Sequence, residues 1–290
     1  TAMTAPSRDG NPLVSIAMPV YNGQATVAEA LRSLLAQTYA PIEIIVVDDG
    51  STDGTWEVLQ SFGAAIRRIR QANGGIAAAR NAGLRVARGE FIALMDHDDL
   101  AAPERIAAEV KFLRQRPDLV LCSSDFSAFD AKGIVSASYI STYYHRCAAA
   151  EGGVAARYPD RGELDIGDSL ATASAEAVIV PTYDGNIYEE LALGNFVHPP
   201  TVLFRRAILA ETGYFDMNVK IMCEWDWLVR VARVGPLGFL DRPLLQYRLS
   251  PSQVSFSEEA ALDSAAVAQR ICERDPALQA RHAEDFRRLF

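Results

Sequence analysis

The chain has 290 residues, of which 49% are hydrophobic and 22% charged, which is ordinary for globular proteins and enough for a sizeable core. With 28 Lys and Arg against 37 Asp and Glu, the formal net charge is −9, the wrong sign for a protein that grips nucleic acid through its overall field. No apolar run approaches the roughly 18 residues that span a bilayer, and residues 1–10 lack the features of a signal peptide, so we expect a soluble, cytoplasmic protein.

The first part of the chain alternates short β-rich runs with helical patterns, which is typical of a parallel sheet covered by helices. Residues 14–18 form the first predicted strand. A helix should follow, because Thr26 and Glu29 have capping-box spacing and the apolar residues after Thr26 fall on one face. The continuous β-branched run at 42–47 predicts a strand that is buried on both faces.

The same alternation continues further along the chain. We predict a weaker strand at 65–69, a helix of small residues at 76–87 and a strand at 91–94. Pro103 suits the first turn of the next helix, and residues 119–122 form another predicted strand.

The pattern is lost in the next segment, residues 123–195, which mixes Gly, Ser, Ala, Tyr and Asp with little periodicity. No elements can be placed there from the sequence. Beyond it we predict a strand at 201–204, a short helix at 206–212 that stops at Gly213, and a helix at 224–234.

Two acidic loops should share one edge of this sheet. The strand at 42–47 runs into DDGSTDG at 48–54, and the strand at 91–94 runs into DHDD at 96–99. Ligands of open α/β sheets bind beyond the carboxyl ends of the strands, where residues 19–23 should also lie. Clustered acids repel one another unless a cation or hydrogen-bond donors compensate them, and hard divalent cations prefer oxygen ligands. The loops therefore predict a metal-phosphate site, with a solvated acidic turn as the alternative reading.

Signatures of other functional classes are missing. No Gly-x-Gly-x-x-Gly follows the first strand and no Gly-x-x-x-x-Gly-Lys-Ser/Thr occurs, so a dinucleotide fold and a P-loop are unsupported and a metal would have to carry the phosphates. The cysteines lie far apart and form no Cys-x-x-Cys pair, which argues against a zinc ribbon or a disulfide scaffold. We expect all four to be small buried hydrophobes: Cys122, Cys147, Cys223 and Cys272.

Four motifs in this order resemble those of family 2 glycosyltransferases of the GT-A fold. They are VSIAMPVYN at 14–22, VVDDGSTDGT at 46–55, AAARNAG at 77–83 and GEFIALMDHDD at 89–99. The resemblance continues to about residue 255 through His198 and TVLFRR at 201–206, GYFD at 213–216, EWDWLVR at 224–230 and YR at 247–248.

The resemblance implies an α/β GT-A fold, with a Rossmann-like, mostly parallel sheet flanked by helices and a mixed α+β half on the acceptor side. Residues 12–122 would form the nucleotide-sugar-binding half and residues 123–256 the acceptor-side half of the same domain. Residues 1–11 would be a flexible N-terminus. Residues 257–290 would be an Ala-rich helical tail with a break at Pro276.

For the nucleotide, the resemblance implies that Tyr21 offers an aromatic face to a uracil-like base whose N–H is accepted by Asp49, with Asp48 beside it. Arg80 would place a cation near the diphosphate. The implied nucleotide-binding residues are Pro19, Tyr21, Asp48, Asp49, Arg80 and Asp96.

For the metal, the resemblance implies that Asp98 ligates Mn²⁺ or Mg²⁺ bridging the diphosphate, while Asp96 holds the ribose or the surroundings of the metal. Asp99 is an alternative ligand, and His97 should point outward. Some relatives carry a further histidine ligand shortly after the Tyr-Arg motif, but Leu249 and Ser250 stand there in this chain.

For the chemistry, the resemblance implies that Glu224 stands at the position of the family's catalytic carboxylate and accepts the proton of the acceptor hydroxyl. Cys223 stands where the family usually has the first of two acids, so Asp226 remains the rival base. The resemblance implies that His198 and Trp225 lie near the donor sugar or the acceptor, although a lone histidine is more often structural than functional.

The implied activity is inverting transfer of a sugar from a nucleoside-diphosphate sugar, UDP-linked by expectation, to a hydroxyl of a glycan or lipid-linked acceptor. A sugar nucleotidyltransferase and a non-catalytic module that binds nucleotide sugar or glycan are the alternatives. The implied partners are the donor and the acceptor, with no nucleic acid and no transmembrane segment. This activity is compatible with a protein that is bound peripherally at the inner face of the membrane. It is also compatible with a homo-oligomer formed through the tail.

Overall fold

The structure is a computed structural model that describes residues 10–145, 152–172, 176–250 and 258–287. The strands are β1 Val14–Val20, β2 Ile42–Asp48, β3 Arg67–Arg70, β4 Phe91–Leu94, β5 Leu100–Ala101, β6 Leu121–Asp130, β7 Gly133–Ser136, β8 Asp160–Asp165, β9 Ile179–Gly185, β10 Leu203–Arg205 and β11 Leu237–Arg248. The helices are α1 Val27–Leu35, α2 Thr55–Ser61, α3 Ile76–Val86, α4 Arg105–Gln115, α5 Ile140–Tyr143, α6 Tyr188–Ala192, α7 Leu209–Thr212, α8 Cys223–Ala232, α9 Glu258–Arg274, α10 Pro276–Arg281 and α11 Ala283–Arg287.

One mixed sheet joins both halves of the sequence, in the order β3-β2-β1-β4-β10-β6-β11-β9-β8, with β5 added at β11 and β7 at β6. Strands β1 to β4 pair in parallel. Strand β10 then runs antiparallel between β4 and β6, although it comes from the second half of the chain. The two predicted halves therefore share a single sheet.

Parallel register brings the carboxyl ends of β1, β2 and β4 to one edge. Val20 is paired with Asp48, and the backbone N–H of Met95 donates to Ala17 O at 3.2 Å, so the chain after β4 continues beside the end of β1. The β2 side chains from Ile44 to Val47 are buried, as their β-branched run predicts. This packed sheet supports the three loops that follow its strands.

Most of the predicted elements in the first part of the chain are confirmed, with two local corrections. The predicted capping box is not formed: Thr26 is the N-cap of α1, but its hydroxyl lies 3.2 Å from His97 Nδ1 and caps no backbone N–H. Pro103 precedes the N-cap Glu104, so it lies before α4 and not in its first turn.

Two long strands differ from the sequence prediction: one is longer than predicted and the other was not predicted. Strand β6 continues from the predicted end at Cys122 to Asp130, and β11 was not predicted. Buried polar residues such as Ser124 and Asp125 interrupt the apolar pattern of β6. In β11 the pairing with β6 shifts register around Pro243, because a proline within a sheet is accommodated at a bulge.

The tail forms helices that pack against the domain, and the predicted break occurs where α10 begins at Pro276. Cys122, Cys223 and Cys272 are buried free thiols, as predicted, whereas Cys147 lies outside the described residues. The predicted flexible N-terminus lies outside the described residues up to residue 9. No helix in the described parts of the chain is both long enough and apolar enough to cross a membrane.

Candidate active site at the carboxyl edge of the parallel strands

A buried arginine joins two acidic motifs that are far apart in the sequence. Arg80 Nη2 donates to Asp96 Oδ1 at 2.8 Å, and Arg80 Nη1 pairs with Glu224 Oε1. The Arg80 side chain is 1% exposed, against 13% for Glu224 and 28% for Asp96. Although burial opposes the charge, the two carboxylates raise the pKa of Arg80 above its usual range. The guanidinium is therefore a fixed cation that orients both acids.

Glu224 and Asp226, the two rival bases, have different surroundings. Glu224 Oε2 accepts from the Cys223 thiol at 3.3 Å, and the carboxylate keeps partial access to solvent. Asp226 is 1% exposed, and its two oxygens accept from Arg274 at 2.6 Å and from Arg230 at 3.0 Å. The structure thus brings Glu224 to the Arg80 cluster, whereas it buries Asp226 in ion pairs with Arg230 of α8 and Arg274 of α9.

The loop after β4 concentrates negative charge beside this cluster. Burial raises the pKa of Asp98, and the nearby charge of Asp96 raises it further. Asp99 is buried, and burial together with Asp98 and Asp96 raises its pKa well above the usual range. Asp99 Oδ1 accepts from the backbone N–H of Arg248, while its Oδ2 has no hydrogen-bond partner in the described part of the chain. Carboxylates that repel one another in this way fit a divalent cation.

The protein by itself presents an incomplete set of metal ligands. Within the described residues, no three His, Cys, Asp or Glu side chains are grouped so as to hold a metal ion. Asp98 and Asp96 supply oxygen donors of the kind that Mn²⁺ and Mg²⁺ prefer. His97 is half-buried and its Nδ1 is 3.2 Å from the Thr26 hydroxyl.

The acids at the end of β2 are engaged by neighbouring groups of the protein. Asp48 is fully buried, accepts from the Ser51 N–H at 3.0 Å and pairs with Arg70 at 3.1 Å. Asp49 Oδ1 accepts from Gln71 Nε2 at 2.7 Å, and its two oxygens accept from the backbone N–H groups of Gly74 and Gly75. Asp49 therefore shapes the loop that leads into α3, the helix that carries Arg80.

The end of β1 carries the aromatic side chain that was expected to stack against the nucleobase of the donor. Tyr21 is 46% exposed, whereas Pro19 is buried in β1 opposite Val47. Asn22 has a φ of 51°, in the left-handed region that asparagine tolerates, and its side chain accepts from the Thr52 N–H at 2.8 Å. Asn22 was not among the predicted site residues, although an asparagine directly after a strand is a turn signal.

His198 lies in an aromatic cluster and not on an open surface. Its ring stacks on Phe126 with centroids 4.0 Å apart, and its Nδ1 is 3.3 Å from the Tyr144 hydroxyl. Burial lowers the pKa of His198 to about 3, so the ring is neutral. Tyr247, which adjoins the acidic loop through Arg248, packs edge-on against His198 at 5.1 Å.

Trp225 and Arg248 differ most from the sequence-based assignment. Trp225 is buried and donates from Nε1 to Leu191 O at 2.7 Å, so the structure places it in the core and not beside the carboxylates. Arg248 was noted only as part of a motif, but its Nε donates to Asp98 O at 2.7 Å and its Nη2 pairs with Glu29 at 2.6 Å. It fixes the acidic loop against α1 from the unpredicted strand β11.

Comparisons with known sequences agree with the motifs. Residues 15–151 match the model of a family described as Glycosyl transferase family 2. An uncharacterized glycosyltransferase of Rickettsia typhi is 29% identical over 245 residues, which are 84% of this chain and 66% of that protein. One of Rickettsia felis is 30% identical over 248 residues, 84% of this chain and 35% of that protein. The chain thus spans 66% of the length of the first relative and 35% of the second.

Solved structures show the same fold. TarS of S. aureus in complex with UDP-GlcNAc matches with a TM-score of 0.59 and 19% identity, over 90% of this chain and 66% of that one. The mannosyltransferase PcManGT of Pyrobaculum calidifontis in complex with GDP-Man and Mn²⁺ matches with a TM-score of 0.59 and 19% identity, over 93% and 66%. These likenesses, both below 25% identity, confirm the predicted GT-A fold.

Proposed function

We propose that this chain, whose residues 15–151 match the family 2 glycosyltransferase model, moves a sugar from a nucleoside-diphosphate sugar to an acceptor hydroxyl with inversion at the anomeric carbon. The observation that carries this proposal is the Arg80 cluster. Arg80 sets one carboxylate on the donor side, Asp96, and one on the acceptor side, Glu224, within reach of a single guanidinium.

Glu224 is the proposed general base. It accepts the proton of the acceptor hydroxyl as the oxygen attacks the anomeric carbon, and the bond from that carbon to the diphosphate oxygen breaks. The bonding pair leaves with the nucleoside diphosphate, so one displacement inverts the configuration. Asp226 is unsuited to this role, because both of its oxygens are held by arginines in a buried position.

The donor is proposed to bind along the ends of β1, β2 and β4, with its nucleobase stacked on the exposed face of Tyr21. We propose a UDP-sugar, since TarS was solved with UDP-GlcNAc. PcManGT was solved with GDP-Man, so the assay below compares donors that differ in their nucleobase.

Asp98, with Asp96, is proposed to hold Mn²⁺ or Mg²⁺, and PcManGT was solved with Mn²⁺. When bound, such an ion supplies Lewis-acid stabilisation of the charge on the departing diphosphate. Arg248 and Asp99 contribute indirectly, because their contacts fix the backbone that carries Asp98.

The acceptor is proposed to be a glycan or a lipid-linked sugar, as in polysaccharide biosynthesis, reached on the side of Glu224 and the aromatic cluster around His198. A lipid-linked acceptor would bring the protein to the inner face of the cytoplasmic membrane. A homo-oligomer through the tail would use the outer surface of α9, where Leu262 is 74% exposed.

The test is a comparison of two variants, Glu224→Gln and Asp226→Asn, with UDP-, GDP- and dTDP-sugars, with and without Mn²⁺. We expect Glu224→Gln to lose about 10²-fold to 10⁴-fold in transfer while its binding of nucleoside diphosphate is unchanged. Asp226→Asn loses its charge against Arg230 and Arg274 and should unfold at lower temperature. Its amide oxygen can still accept from Arg274, so α8 stays in place and the folded fraction should keep its turnover.

The products separate the alternatives. A glycosyltransferase releases nucleoside diphosphate, a nucleotidyltransferase releases pyrophosphate, and a binding module releases neither. Transfer by Glu224→Gln at the wild-type rate would remove this residue from its proposed role.

A further inference from the structure

The tail helix α9 lies along the segment that leads into the proposed base. Residues at positions 259, 263, 267, 270 and 274 repeat at helical spacing and so share one face. Along this face Val267 is fully buried, Glu259 pairs with Lys220 at 3.5 Å, and Arg270 pairs with Asp216 at 2.6 Å. The contacts run from residue 216 to α8, the helix that carries Glu224.

Asp263 contacts the two backbone groups that lead into α8, two and three residues before Glu224. Its Oδ2 accepts from the backbone N–H of Ile221 at 2.6 Å and from that of Met222 at 3.0 Å. Met222 is the N-cap of α8 and provides no side-chain cap of its own. A carboxylate from another helix therefore caps the start of α8, where unsatisfied N–H groups and the helix dipole favour a negative charge.

A second contact holds α8 one turn further on. Arg274 Nη1 donates to Asp226 Oδ1 at 2.6 Å, so α9 grips α8 on both sides of Glu224. Arg80, the partner of Glu224, is buried and is held independently by its pair with Asp96 at 2.8 Å. The separation between Glu224 and Arg80 thus depends on where α9 holds the start of α8.

We propose that Asp263 is a positioning residue for the base: by capping α8 from the tail helix, it sets Glu224 against Arg80 for proton transfer. This inference rests on the proposed function. It gives the tail, in which the sequence shows no chemistry, a role in turnover and not only in stability. A displacement of about 1 Å in such a group can cost up to about 10²-fold in rate.

The experiment compares Asp263→Ala and Asp263→Asn with Glu259→Gln, a control on the same face whose side chain is 61% exposed. We expect Asp263→Ala to lower kcat about tenfold with the donor KM unchanged. Asp263→Asn should recover most of kcat, because both hydrogen bonds go to one oxygen that an amide retains. Glu259→Gln should behave as the wild type.

Hydrogen exchange supplies a readout that does not need activity. In Asp263→Ala, amides of residues 221–224 should exchange faster while those of the loop at 71–75 stay unchanged, and Asp263→Asn should restore protection. An unchanged kcat, or a fall that Asp263→Asn does not recover, would overturn the positioning role. Unchanged exchange would overturn the cap itself, whereas absence of transfer by the wild type would overturn the proposed function and with it the positioning role, and would leave the cap standing.

Discussion

Replacing Arg80 with methionine tests the cluster on which the proposed mechanism depends. The substitution removes the guanidinium, keeps an unbranched side chain, and leaves Glu224 and Asp96 facing each other without a cation. Removing one partner of a buried ion pair costs about 3–5 kcal/mol. Because Glu224 and Asp96 keep 13% and 28% of their exposure, water reaches them, and we expect a loss near the lower end, about 3 kcal/mol.

A double-mutant cycle separates the charge effect from packing. In the wild type, Glu224→Gln removes a partner of Arg80 and should lower the free energy of unfolding. In the Arg80→Met background the same change removes an unpaired carboxylate and should raise it by about 1 kcal/mol. The opposite signs are the signature of a direct interaction.

Urea unfolding followed by tryptophan fluorescence measures all four corners of the cycle. Arg88→Met is the matched control, because Arg88 pairs with Glu43 but is 64% exposed and should cost less than about 1 kcal/mol. If Arg80→Met cost no more than Arg88→Met, or if Glu224→Gln had the same effect in both backgrounds, the buried cluster would not hold the two acids as described.

Two further outcomes follow from the acidic loop and the aromatic cluster. Asp98→Asn should raise the melting temperature in the absence of metal, because it removes charge from a half-buried carboxylate beside Asp96. It should also abolish the further rise that we expect UDP with Mn²⁺ to give the wild type; a preserved rise would remove Asp98 as a ligand. His198→Phe should reduce the loss of unfolding free energy that the protein shows as the pH falls. The folded pKa of His198 is about 3 and that of an unfolded histidine is about 6.5, so the unfolded state binds the extra proton and stability is lost as the pH falls below about 6.5. Between pH 8 and pH 5 this contribution lowers the free energy of unfolding of the wild type by about 2 kcal/mol, and it should be absent in His198→Phe. Urea unfolding at the two pH values measures the difference. Equal losses in both proteins would mean that His198 is already charged in the folded protein.

The strands and loops of residues 12–122 could be predicted because their residues carry local signals. The run at Ile44 to Val47 is apolar since both faces of β2 are buried, and the acids that follow it mark the end of the strand. The same logic failed in β6, where Ser124 and Asp125 are buried among hydrophobic residues, and in β11, where Pro243 sits at a register shift. Sequence periodicity does not register buried polar groups or bulges.

The side chains that contact the two candidate acids could not be predicted from the sequence, for a different reason. Glu224 and Asp226 are two residues apart on one short helix, and both could be the base on sequence grounds. What separates them is contact with Arg80 in one case and with Arg274 of the tail in the other. Those contacts span 144 and 48 residues of chain, and no local pattern encodes them.

The insertion of β10 between β4 and β6 has a consequence for how the protein is made. During synthesis, β4 emerges with an unpaired edge and cannot acquire its second neighbour until the ribosome has passed residue 205, more than 110 residues later. The nascent chain must therefore carry an open, apolar strand edge while these residues are synthesised, a state that invites aggregation and chaperone binding. Contacts of such long sequence separation also slow folding, so the sheet should close late and as one cooperative event.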